Sequence, residues 1–180
     1  MKTHPTSFNV TRLSVDNPPS DGSVLFTENG LPRILDRMLE RVTGSPLSHT
    51  MIFLRHDGRP YIYEAYPPKV LKISWRKFVE ETLPEREARF WTRRLGGLRT
   101  VVWSPREPFA RNTLVAMHGE AEDGLGVNYS MVWNWLRAEC EALHCSEYVG
   151  NICEAGGLLI SDGGKETPGS LFAKLIECDW

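Results

Sequence analysis

A chain of 180 residues, 41% hydrophobic and 24% charged, is long enough for one domain with a sizeable core and too ordinary in composition for a disordered or fibrous protein. Its net charge of −2 supplies no electrostatic reason to bind nucleic acid or an anionic membrane. No stretch approaches the roughly eighteen apolar residues of a membrane span, and Met1-Lys2-Thr3-His4-Pro5 lacks the apolar run of a signal peptide, so an unexported, cytoplasmic protein is expected.

Residues 1–20 read as a polar lead-in to a single domain over 21–180. Within the lead-in, Phe8, Val10, Leu13 and Val15 suggest a short edge strand before Asn17-Pro18-Pro19-Ser20-Asp21-Gly22 breaks the chain. Ser23 to Thr27 predict a buried strand. Leu31, Ile34, Leu35, Met38, Leu39 and Val42 predict an amphipathic helix over 31–42, opened by Pro32 and closed by Thr43-Gly44-Ser45-Pro46. Ser48 to Leu54 and Tyr61 to Tyr66 predict two strands of a hairpin turned at Asp57-Gly58. Lys69 to Ser74 alternate as another strand, and Trp75 to Glu81 read as helical.

Pro84 separates that piece from a charged helix over Glu85 to Arg94. Its arginines, with Arg99, suggest an anion-gripping face. Glu80, Glu81, Glu85 and Glu87 offset them, so the stretch from Arg86 to Arg99 reads first as a solvated face. Leu98 to Trp103 predict a strand and Phe109 to Gly119 a helix. Tyr129 precedes a short aromatic helix around Trp133 and Trp135, and Thr167-Pro168 opens a last helix.

The stretch that organises the rest is His144 to Gly157. Val149, Ile152, Cys153 and Gly156 fall at helical spacing, and Cys145 lies on the same stripe in the first turn. The positive end of the helix dipole there favours a thiolate. The same cysteine also fits as a small core residue. Of the other cysteines, Cys140, Cys153 and Cys178 read as packing residues. None of the four forms a CxxC pair or has zinc-finger spacing, and reduced thiols are expected.

A base is available. His49 and Glu64 stand on the two strands of the Asp57-Gly58 hairpin with fourteen residues between them, which sets them on one face of the sheet, directly or diagonally opposite. A carboxylate there holds one imidazole tautomer. A sulfur reaching the other ring nitrogen completes a thiolate–imidazolium pair, provided the Cys145 helix packs on that face. His144, adjacent to Cys145 on the helix, diverges from it and is rejected as the base. His4, His56 and His118 sit in a tail, a turn and a helix end.

Asp21-Gly22-Ser23-Val24-Leu25-Phe26, Thr43-Gly44-Ser45-Pro46-Leu47-Ser48-His49-Thr50, Tyr63-Glu64-Ala65 and Cys145-Ser146-Glu147-Tyr148-Val149 together resemble the permuted papain-like hydrolases of the YiiX/YaeF type. These are relatives of the NlpC-type cell-wall peptidases and of lecithin retinol acyltransferase. The resemblance covers about residues 21–176, and the order His, Glu, Cys is the circularly permuted one. It implies an α+β fold with an antiparallel, barrel-like sheet against the cysteine helix. It implies Cys145 as nucleophile, His49 as general base and acid, Glu64 as orienting group, and Tyr129 near the oxyanion, with no metal or organic cofactor. Substrates it implies are amides (peptide, isopeptide or peptidoglycan-type) or acyl esters. An acyltransferase with the same triad, or a non-catalytic binding module of the same fold, are the alternatives. The arginine-rich region matches nothing in the resemblance.

Overall fold

The computed structural model describes residues 13–28, 41, 44–88, 99–129, 142–158 and 166–177. All but Arg41 of the helix expected over 31–42, the aromatic segment around Trp133 and Trp135, Arg89 to Arg94, and His4, Cys140 and Cys178 lie outside the described residues.

The fold is α+β. Its strands are β1 (Val24–Glu28), β2 (Leu47–His56), β3 (Arg59–Tyr66), β4 (Lys69–Ser74), β5 (Arg99–Trp103), β6 (Asn128–Tyr129) and β7 (Ala142–Leu143). They form one sheet in the order β5-β1-β2-β3-β4-β6-β7. All neighbours are antiparallel except β6 and β7. The β2–β3 connection is the predicted two-residue turn, with Asp57 at φ 50° and Gly58 at φ 74°. Positive φ at both positions gives the tight hairpin whose twist matches its strands. A cis Pro67–Pro68 bond lies between β3 and β4.

Leu13 and Val15 are not in a strand. Ser14 bridges Asn17 in a turn, and the prolines that follow have no N–H with which to extend a ladder. Leu13 nonetheless packs on the core, and Trp75 donates its indole N–H to the Ser14 carbonyl at 3.1 Å.

Alternation along the central strands splits the core into two clusters. One holds Val24, Phe26, Ile52, Leu54, Tyr63 and Ala65. Against it pack α2 (Arg111–Asp123), α3 (Cys145–Ala155) and α4 (Pro168–Glu177), through Met117, Ala121, Val149, Ile152, Cys153, Leu171 and Leu175. The other holds Leu25, Met51, Phe53 and Ile62, covered by Trp75 and Phe78. Those two belong to α1, a continuous helical segment made of Trp75–Lys77, a π-type turn Phe78–Thr82, and Leu83–Ala88. Pro84 does not divide it, contrary to expectation. The proline follows a turn already widened to the π pattern, where Leu83 N–H bonds back to the Phe78 carbonyl, and a widened turn tolerates the ring and the missing donor.

α4 starts as expected. Ser170 N–H donates to Thr167 Oγ1 and Thr167 N–H to Ser170 Oγ, a reciprocal cap with Pro168 at the first helical position. At the end of α2, a Cβ on Gly124 would lie 2.5 Å from the Tyr148 ring. That ring is buried, and its hydroxyl donates to the Ala121 carbonyl at 2.7 Å. Gly124→Ala is therefore expected to destabilise by about 1–3 kcal/mol through overpacking, read as a lower urea midpoint. An unchanged midpoint would mean the ring has room to move.

Candidate active site

α3 begins where the nucleophile is needed. His144 is its N-cap: Nδ1 accepts from the Glu147 N–H at 3.2 Å, and Glu147 Oε2 accepts from the His144 N–H at 3.5 Å. The reciprocal cap uses up His144 and makes Cys145 the first helical residue. Its N–H is thereby left without an acceptor inside the helix.

β2 and β3 then open a gap. Their ladder runs from His56–Arg59 to Ile52–Tyr63 and stops, although β2 continues to Leu47 and β3 to Tyr66. Phe53 N–H bonds to Ser23 on the β1 side, so the Thr50 N–H, an odd number of residues away, points into the fork with β3. There it lies near enough to the sulfur of Cys145 to favour the thiolate. On the other edge of β2, Thr27 pairs with His49 and Glu28 with Leu47, so Ser48 is the extra residue of a β-bulge. Such a bulge bends the strand and re-aims the side chain beside it, here His49.

The fork corrects one expectation. The body of α3 packs on the face of Ile52, Leu54, Tyr63 and Ala65, whereas Glu64 falls with Ile62 on the opposite face. Only the first turn of α3 meets His49, with the sulfur near Thr50 where the two strands part. The expected relation of His49 to Glu64 holds. Carried on from Ile52–Tyr63, the register sets Glu64 one diagonal step from His49.

Glu64 Oε2 accepts from His49 Nε2 at 2.7 Å, and both residues are 0% exposed. Arg86 of α1, 5% exposed, adds a two-pronged bond: Nη1 to Oε2 at 3.0 Å and Nη2 to Oε1 at 2.6 Å. Burial works against the Glu64 charge, but Arg86 foremost and His49 after it hold the carboxyl down to about 2. A carboxylate in that state obliges Nε2 to carry hydrogen, which turns Nδ1 toward the sulfur's side as the working nitrogen. Nδ1 is buried and makes no hydrogen bond of normal geometry among the described residues.

The thiol and the ring nevertheless lie close enough to favour each other's charge. Burial lowers the proton affinity of His49. Cys145 first and Glu64 second more than reverse this, and its pKa rises to about 9. Burial pushes the Cys145 thiol up, and contact with the His49 imidazole, helped by the Thr50 N–H and the Ser146 hydroxyl, brings it below the ordinary value. Cys153, two turns along the same helix and equally buried, has no imidazole beside it. Its thiol is pushed up to about 12 by burial and by Glu166.

With this geometry in view, comparison with known proteins adds the fold. No family model matches the chain, and no curated protein does. Solved structures do share its architecture. Among them is the metalloprotein YiiX (DUF1105) of Escherichia coli O157:H7, which superposes with a TM-score of 0.59 over 88% of this chain and 81% of that one, at 18% identity. The likeness agrees with the YiiX-type resemblance and speaks for fold, not activity.

Of the residues singled out from sequence, Cys145, His49 and Glu64 come together. Tyr129 sits on β6 beside Leu143, two residues before Cys145, with its ring packed on the larger core cluster. His56 and His118 lie near each other, ring centroids 5.6 Å apart, with His56 at the hairpin's turn. Arg86 was missed. The sequence groups it with a solvated arginine face, yet of the two described members of that group it is Arg99 that fits, being exposed beside Glu28. The one sequence signal that distinguishes Arg86 is its place three residues after Leu83 on the inward side of α1.

Proposed function

We propose that this chain is a cysteine hydrolase that cleaves an amide or acyl ester through a thioacyl-enzyme on Cys145. The contrast between two buried thiols of one helix carries the reading. At Cys153 burial, with Glu166 beside it, raises the thiol, whereas at Cys145 an imidazole held by a carboxylate lies close enough to reverse the effect of burial.

The Cys145 thiolate attacks the substrate carbonyl carbon, and its electron pair forms the C–S bond while the carbonyl π pair moves to oxygen. The Cys145 N–H, free at the helix start, suits that oxyanion. The oxyanion collapses, the C–N or C–O bond breaks, and the His49 imidazolium gives its proton to the departing amine or alkoxide. Neutral His49 then takes a proton from water as the water attacks the thioester, and the Cys145 thiolate leaves. Glu64 stays ionised throughout and steadies the imidazolium. An amine or alcohol in place of water yields acyl transfer by the same steps.

YiiX is described as a metalloprotein. Among the described residues of this chain, no group of three or more His, Cys, Asp or Glu side chains is arranged to hold a metal ion. No described helix is long and apolar enough to cross a membrane.

The test is alkylation of the folded protein by a small electrophile across pH, with the labelled peptide identified. Cys145 is expected to react selectively and well below the ordinary thiol range near 8.5, and His49→Ala to slow it at least tenfold at pH 6.5. Uniform labelling of the cysteines, indifferent to His49, would leave a binding module of the same fold.

A further inference from the structure

We infer that Arg86 is a positioning residue for His49, acting at once through Glu64 and through Tyr66. The inference rests on the Cys145–His49–Glu64 reading and adds a fourth and fifth side chain to it.

Arg86 and three other side chains close a circuit. Its fork takes both oxygens of Glu64, at 2.6 and 3.0 Å. Its guanidinium lies over the Tyr66 ring at 4.0 Å. Tyr66, two residues after Glu64 and so on the same face of β3, meets the His49 ring edge to face, centroids 5.5 Å apart at 79°. Glu64 Oε2 returns to His49 at 2.7 Å. The imidazole is thus held on its edge by a carboxylate and beside its plane by an aromatic ring, and one guanidinium fixes both. A carboxylate bonded to His49 alone could swing about its own axis. With both oxygens forked it cannot, and a planar five-donor group suits that task where an ammonium does not.

The arrangement also has an electrical consequence that mere packing lacks. The titratable groups around His49 are Cys145 from α3, Glu64 and Tyr66 from β3, and Arg86 from α1. β1 contributes Thr27, which does not titrate. Glu85 touches the set only through Arg86. A buried positive charge lowers the proton affinity of every group near it. Removing Arg86 therefore moves the proton losses of Cys145 and of His49 toward higher pH together.

The experiment follows the His49 ring by NMR in Cys145→Ala protein, where no catalysis is needed, with and without Arg86→Gln. The His49 titration is expected to rise by about one unit. In protein that keeps Cys145, Arg86→Gln is expected to shift the alkylation midpoint alkaline and to slow labelling about tenfold to a hundredfold. Arg86→Lys keeps the charge without the fork. It should hold the midpoint within about half a unit while the rate falls. An unmoved His49 titration in folded Arg86→Gln protein overturns the inference and leaves the triad reading intact. Ordinary-thiol behaviour of Cys145 in the wild type defeats the triad reading, while the titration still reports on Arg86. If Arg86→Gln does not fold, Arg86→Lys decides, and a wild-type labelling rate in that variant overturns the positioning role.

Discussion

Cys145→Ala is expected to lower kcat/KM toward an activated acyl ester by roughly 10³–10⁶-fold, and His49→Ala by a comparable factor. The double variant should lose little more, because the two groups act as a unit. The pH profile carries the same message. Cys145 loses its proton below the ordinary range of a thiol, and His49 keeps its own up to about 9 rather than 6.5. Activity should rise with formation of the thiolate and fall as the imidazolium is lost near pH 9, a bell whose limbs belong to the coupled pair. A rate that climbs steadily through the usual thiol range, with no descending limb, would mean that Cys145 works without His49.

The largest effect on stability is expected at Glu64. Glu64→Ala leaves a buried guanidinium and a buried imidazole facing a void, and should cost about 3–5 kcal/mol, measured by urea denaturation at pH 6. Glu64→Leu/Arg86→Met, which removes both charges and refills the space, should recover much of that loss. The pH dependence has a definite sign. The Glu64 carboxyl falls from 4.5 to about 2 on folding, so its contribution is complete above 4.5 and is lost as pH drops through about 2. The His49 pKa rises from 6.5 to about 9, so its contribution is complete below 6.5 and is lost as pH climbs through about 9. The wild type should therefore be most stable between about pH 4.5 and 6.5 as far as these two groups decide it. The Glu64→Ala variant should lose the acid limb. A variant as stable as wild type at pH 6 would show that the buried ion set contributes nothing.

Much of the layout was legible in the chain. The Asp57-Gly58 turn has one good geometry, which sets the strand register and so the His49–Glu64 relation. The Thr167-Pro168 start and the stripe Val149, Ile152, Cys153 each follow from local rules that the fold did not overrule. Two things were not legible. A charged helical stretch reads as solvated because sequence shows which charges are present, not which one is turned inward. Arg86 is distinguished from its neighbours by a partner twenty-two residues upstream. Pro84 reads as a boundary because the ordinary α pattern cannot accept it, and local propensity does not foreshadow the π turn before it, whose Phe78 packs in one cluster with Phe53 and Ile62.

The amino-acid order by itself determined the hairpin register and the start of the cysteine helix, and its motifs resemble a family in which Cys145, His49 and Glu64 would be the working residues. These depend on turn chemistry, periodicity and side-chain type, which are local. Only the tertiary structure decided that β2 and β3 part before Thr50, that Cys145 meets Thr50 where they part while its helix covers the other face, and that Arg86 rather than solvent satisfies Glu64. Those outcomes depend on groups far apart along the chain competing for the same buried space, where a charge left without a partner costs more than the order of residues can reveal.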